Sequence, residues 1–298
     1  MENIEQERKP WGKLSVVLSY IFLFGLLTAI SSGGGDIKLN LEDANMMNVL
    51  KFAQAVAVIL LFIVPAVLFA GLWTKDKTHY LGITTRPAVS TLFIGAAGML
   101  LALPMINWLA EMNSQMHLPA AFSGIETWMK NSEAEAAQLT EAFTKGTSVG
   151  VLILNLFVIA FMAALSEEIF FRGVLQKILM ECVKNKHVAI WIGAALFSAF
   201  HMQFYGFVPR MLMGAYLGYL FFWSGSLWPG IIAHFINNGA AVYLVWLSNR
   251  GTISVDADKI GVENNEWVYV LVSVVMVVTS MVLVYRAEQK RKGEILNT

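Results

Sequence analysis

Hydrophobic positions along this chain fall in blocks, not at the alternating period of a half-buried strand. The blocks are mostly apolar, run from 15 to 26 residues, and are bounded by charged or Gly/Pro-rich breaks. The blocks cover residues 13–31, 50–73, 88–110, 147–172, 188–204, 209–223, 227–248 and 267–286. A helix of that length matches the hydrocarbon thickness of a bilayer. The pattern therefore predicts an all-α polytopic membrane protein with about eight transmembrane helices, forming a single integral membrane domain over residues 1–298. The sixth block is short and carries Gly214 and Gly218, which predicts close helix packing over lipid exposure. The first block follows Arg8, Lys9 and Lys13, and Ala29-Ile30-Ser31 resembles a small-residue cleavage site. It is longer than the apolar region of a signal peptide, so a retained span is predicted.

Composition agrees. The 298 residues are 57% hydrophobic and only 14% charged, where soluble domains carry about a quarter charged residues. The formal net charge of zero offers no basic surface for nucleic acid. Cys182 is the only cysteine, which excludes an intrachain disulfide and a thiolate metal cluster. It is read as a small buried apolar residue.

Loop charge sets the orientation. With eight spans, both termini lie on one side, and the segments there carry 13 Lys and Arg against 7 on the opposite side, leaving Arg172 out. The positive-inside rule then places both termini in the cytoplasm, in a cell-membrane protein. The loop 111–146 lies on the other face, is rich in Glu, and contains a candidate surface-lying amphipathic helix.

Within block 147–172 stand two adjacent carboxylates, Glu167 and Glu168. A carboxylate in hydrocarbon costs several kcal/mol unless it is paired, protonated or turned to a polar cavity. Arg172 follows Glu168 by four residues, so on a helix the two meet and neutralise one another as a structural ion pair. Glu167 points about 100° away and is left free to react. His201 lies in the fifth block; His234 and Asn238, again four apart, lie in the seventh. Helical rise puts Glu167 and His201 roughly 20–25 Å above the cytoplasmic basic cluster, with His234 lower. Two histidines, an asparagine and a spare glutamate on three spans suggest a site. His79, His117 and His187 sit in loops or at span ends and are read as solvated. A proton-coupled transporter places similar groups in repeated halves, and no such repeat is visible. A non-catalytic membrane scaffold or immunity protein is the other alternative.

These residues form three motifs: Glu167-Glu168 with Arg172, Phe197 with His201, and His234 with Asn238. In this order on successive membrane helices they resemble the CPBP (CAAX protease and bacteriocin-processing) intramembrane protease family, which includes the type II CAAX prenyl endopeptidases. The resemblance spans residues 145–245, the expected catalytic core. It implies hydrolysis of a peptide bond inside the membrane, with a peptide or membrane-protein substrate in a lipid environment. Glu167 is then the catalytic glutamate that activates water, His201 assists, and His234 and Asn238 stabilise the oxyanion. The family is also described as metalloproteases. Glu167, His201 and His234 are donors that suit zinc, although the HExxH signature is absent. Prenylated CAAX protein, bacteriocin and other membrane-embedded peptides all remain open as substrates.

Overall fold

The computed structural model describes residues 10–32, 43–253, 262 and 267–296. Helices dominate, in the order α1 (Pro10–Ser32), α2 (Asn45–Trp73), α3 (Lys77–Leu81), α4 (Val89–Leu101), α5 (Leu103–Ser114), α6 (Ser123–Thr144), α7 (Val149–Cys182), α8 (Lys186–Phe200), α9 (Phe207–Ser224), α10 (Trp228–Asn249) and α11 (Trp267–Leu296). No strand occurs among the described residues. The protein is an all-α polytopic membrane protein. Helices α2, α7, α10 and α11 are long and apolar enough to cross a bilayer, and the pair α4–α5, bent by 43°, makes a fifth candidate. Pro104 in the first turn of α5 explains that bend, since its ring cannot continue the hydrogen-bond ladder. Each of the eight apolar blocks coincides with a helix or, for 88–110, with the bent pair, but α8 and α9 do not satisfy length and hydropathy together.

Two helices outrun their apolar blocks. The block 147–172 ends at a charge, whereas α7 continues ten residues to Cys182. The helix can continue because its polar groups find partners on α9. Arg172 donates to the Gly214 carbonyl at 3.0 Å, and Gln176, one turn later, donates to the Gly218 carbonyl at 2.9 Å. A Cβ on Gly218 would sit 2.8 Å from the Gln176 side chain, so the close approach requires glycine there. Helix α11 likewise extends past residue 286, because Glu288 is buried. It accepts from the Ala88 amide (2.9 Å), Thr91 Oγ1 (2.7 Å) and Arg291 (2.6 Å). Cys182, read as buried, is half-buried at the rim of the core.

Contacts between helix ends divide the bundle in two. At one end Lys13 pairs with Glu181 (3.1 Å), Arg291 donates to the Ser224 carbonyl (3.0 Å), and Trp228 Nε1 donates to the Ile83 carbonyl (2.9 Å). At the other, Asn113 donates to the Phe204 carbonyl (2.7 Å), Asn249 to the Thr144 carbonyl (2.9 Å) and Trp246 Nε1 to the Ser148 carbonyl (3.1 Å). The start of α1 and the end of α11 belong to the first end. Helix α6 lies at the second, and the helix expected in the 111–146 loop is therefore found.

An aromatic core joins the elements below the paired glutamates. Phe171 meets Phe197 edge-on at 5.2 Å, and Phe62 meets Phe170 at 5.7 Å and Phe200 at 5.3 Å. Outward-facing apolar side chains such as Phe22, Phe52, Leu60, Phe93 and Val275 remain exposed, as a lipid-facing surface requires.

Candidate active site

Glu168 is fully buried and Arg172 nearly so. Their ion pair closes at 2.7 Å over one helical turn, as the spacing predicts. Arg172 also lies 4.5 Å from the centre of the Phe197 ring, which supports the cation's face. A further partner was not legible in the sequence. His234 Nδ1 stands 3.0 Å from the same Glu168 oxygen. A carboxylate already paired with a guanidinium is an acceptor, so His234 donates its Nδ1–H and turns Nε2 the other way.

What Nε2 faces is Glu167. The Glu167 Oε2 oxygen lies 3.8 Å from His234 Nε2 and 3.8 Å from His201 Nε2. His201 uses its Nδ1–H for the Phe197 carbonyl at 2.9 Å, so its Nε2 is likewise directed at Glu167. The Glu167 oxygen is buried and has no hydrogen-bond partner. Three acceptors thus converge on one small space, and the two imidazoles are each held from behind by a different group. Such a space is completed by a donor, and water fits it.

The groups line a cavity of about 400 Å³, at the small end of ligand-sized sites. Glu167, Phe197, His201, Arg210, His234, Asn237 and Asn238 contribute to its wall, as do Thr140 and Thr144 of α6. Asn237 donates to Asn238 Oδ1 at 3.2 Å, which leaves the Asn238 amide nitrogen free to donate. The cavity belongs to the end of the bundle away from the start of α1 and the end of α11, beside α6 and the turn 201–206. His201 stands immediately after α8 at the start of that turn, and Met202 takes a left-handed φ of 55°, a conformation costly for a side chain of this kind. Ser198 Oγ donates to the Phe207 carbonyl (2.7 Å) and fixes the turn.

The sequence-predicted residues Glu167, His201, His234 and Asn238 therefore line one cavity, with Glu168 and Arg172 behind it. The helical-rise estimate set His234 too low. Ser226 and Leu227 are buried and the Leu227 amide donates to the Gly82 carbonyl at 3.0 Å, so α10 begins inside the protein and not at its edge. Sequence reasoning missed Arg210, Asn237 and the threonines of α6. The polar face of a surface helix gives no sign of what it will cover. Zinc is a poorer match than its donor types suggest. Among the described residues, no group of three His, Cys, Asp or Glu side chains is spaced to hold a metal.

Comparison with known proteins agrees with the motif resemblance. Residues 149–240 match the family model described as type II CAAX prenyl endopeptidase Rce1-like. The chain is also similar to an uncharacterized protein of Bacillus subtilis (strain 168), YpbD, at 29% identity over 98 residues. That match covers 32% of this chain and 44% of the relative, so the chain spans less than half the length of the relative it matches. No solved structure matches the chain.

Proposed function

We propose that this chain, Rce1-like over residues 149–240, is an intramembrane endopeptidase that hydrolyses a peptide bond with a glutamate-activated water. One observation carries the reading: a buried, unpartnered Glu167 oxygen 3.8 Å from two imidazole nitrogens, inside a cavity. Glu167 is the general base. Water bound between it and His201 gives a proton to Glu167 as its oxygen attacks the carbonyl carbon. The same proton passes to the leaving nitrogen as the C–N bond breaks. Asn238 donates to the oxyanion, a contact worth about 3–4 kcal/mol in a dry site. His234 adds a second donor when it carries protons on both nitrogens, and the Glu168 carboxylate behind Nδ1 supports that cation as a catalytic-triad aspartate does.

The excess of basic residues on the side of the α1 start and the α11 end supports a cytoplasmic location for that end. The cavity, at the other end, then serves substrates presented from the non-cytoplasmic face. This favours a secreted or membrane-embedded peptide over a cytosolic prenylated tail.

Glu167→Gln in lipid nanodiscs is the test. Cleavage of a reporter peptide should disappear while thermal unfolding stays near wild type, because the lost oxygen makes no hydrogen bond. Undiminished activity, or a biological effect that survives the substitution, would favour the scaffold reading.

A further inference from the structure

A second cavity, of about 750 Å³, lies at the end of the bundle away from the paired glutamates and shares no lining residue with theirs. The start of α8, the end of α9 and one face of α11 enclose it. On α11 its wall is Val278, Met281, Val282, Tyr285, Gln289 and Lys292. That spacing is a single helical stripe. The stripe changes character once, apolar through Tyr285 and polar at Gln289 and Lys292. Helical rise makes it about 21 Å long. Trp267 begins α11 at the opposite interface, and Val278 lies eleven residues further on. That is roughly 16 Å, near the middle of a hydrocarbon layer about 30 Å thick. The groove therefore runs from the bilayer centre to the headgroups, the depth of one leaflet.

Opposite the stripe stand His187, Phe222 and Trp223. Trp223 meets Tyr285 at 5.7 Å, and His187 meets Phe222 at 6.0 Å. Such an aromatic collar marks the membrane–water boundary. Beyond it lies a free cation. Lys290 and Arg291 are taken by Glu294 (3.8 Å) and Glu288 (2.6 Å), whereas Lys292 has no ion-pair partner among the described residues. His187 turns Nδ1 to the Tyr219 hydroxyl at 3.0 Å, and its Nε2 has no partner among the described residues. No carboxylate lines this cavity among the described residues. An occupant complementary to it is apolar for about 10 Å from the bilayer centre and anionic at its outer end. A membrane helix lacks that charge at a fixed depth; a phospholipid carries it. The leaflet at this end, cytoplasmic by the basic excess, is also the one rich in anionic lipid. We infer that the groove binds one anionic phospholipid, an acyl chain along Val278, Met281 and Val282 and the phosphate at Lys292 and His187. The inference goes beyond the endopeptidase reading and does not rest on it.

Native mass spectrometry of the full chain in neutral detergent, titrated with dioleoyl phosphatidylglycerol or dioleoyl phosphatidylcholine, tests it. Wild type should retain one phosphatidylglycerol per chain, about ten-fold more tightly than phosphatidylcholine, the lower end for a charge-assisted hydrogen bond. Lys292→Gln should bring the two lipids to equal affinity. Lys290→Gln, about 200° away around α11, should keep the difference. Val278→Trp fills the seat of the chain and should weaken both lipids. All three positions are exposed, so thermal unfolding should stay near wild type. Equal affinity of wild type for the two lipids overturns the proposal. So does a preference that survives Lys292→Gln, or one lost in Lys290→Gln, which assigns it to general surface charge. Unchanged lipid retention in Val278→Trp removes the lipid from the groove. Displacement of phosphatidylglycerol by inorganic phosphate reduces the site to an anion site, and a dimer that dissociates in Val278→Trp gives the groove to a second copy of the chain; either result also overturns it.

Discussion

Adjacent glutamates with opposite duties should respond differently to the same substitution. Glu168→Gln removes a charge that two buried groups share at one oxygen, Arg172 at 2.7 Å and His234 at 3.0 Å. Breaking a buried pair by removing one partner costs about 3–5 kcal/mol, because the remaining charge is stranded. Arg172 keeps the Gly214 carbonyl and the Phe197 ring, which points to the lower bound of about 3 kcal/mol. The other amide position adds strain: Glu168 Oε2 has no partner and lies 2.8 Å from where a Cβ on Gly230 would be. An amide NH₂ placed there has no acceptor. Against a typical total stability of about 5–15 kcal/mol, the loss shifts the folded-to-unfolded ratio by about a hundred-fold. SDS-titrated unfolding in mixed micelles reads it, with a double-mutant cycle against Arg172→Met. The cycle should return a coupling of about 2 kcal/mol or more, since removing both charges strands neither. A Glu168→Gln variant within 0.5 kcal/mol of wild type (about the error of such cycles), or strict additivity with Arg172→Met, would refute the assignment of Glu168 to structure.

Three further outcomes are expected. Asn238→Ala should lower the cleavage rate about 100- to 1000-fold with no change in metal content; stoichiometric zinc in active wild type, lost together with activity in His201→Ala and His234→Ala, reverses the metal-free mechanism. In a Cys182→Ala background, single cysteines at Ser132 and Glu294 should label from opposite faces of the membrane; labelling from one face sinks the assignment of α6 to the non-cytoplasmic side. Outside the membrane, Lys130 and then His117 hold the Glu126 carboxyl down at about 2. A depressed folded value favours the native contact above the unfolded carboxyl range, and that contribution fades as pH falls from about 4.5 towards 2. A Glu126 titration by NMR should show the low midpoint rising with salt, because the pair is exposed; a salt-independent, ordinary midpoint contradicts the contact.

Much of this architecture could be read because bilayer burial writes itself into long apolar runs. The i,i+4 spacing of Glu168 and Arg172 fixed their pairing before any coordinates, and Gly214 and Gly218 announced a close helix contact. The ends of α7 and α11 escaped, since a charge ordinarily ends an apolar run; here Arg172 and Glu288 are paired locally, with Glu168 and Arg291, and their remaining hydrogen bonds go to the Gly214 carbonyl and the Ala88 amide, 42 and 200 residues away along the chain. The second role of Glu168, as the group behind His234, was equally out of reach: it joins residues 66 apart across two helices. Arg210 offered no signal beyond being a charge near a span edge, where a snorkelling arginine is the ordinary expectation.

Helix α7 carries π-helical turns at Leu156–Met162 and Phe171–Gln176, on either side of the α-helical stretch bearing the two glutamates. A π turn accommodates one residue more than the α-helix it interrupts. Removing a single residue from 171–175 would let the ladder heal to α geometry, and everything beyond would keep nearly its present phase, because the wider turn has already absorbed the extra residue. Gln176 would still face the Gly218 carbonyl, and Lys177 the Tyr80 carbonyl it now reaches. In a comparison of related chains, a one-residue gap in this stretch thus leaves both the acidic pair and the face turned to α9 in register. A one-residue gap in the α-helical stretch Ala163–Phe170 is different: with no wide turn of its own to absorb it, the helix beyond would turn by about 100°.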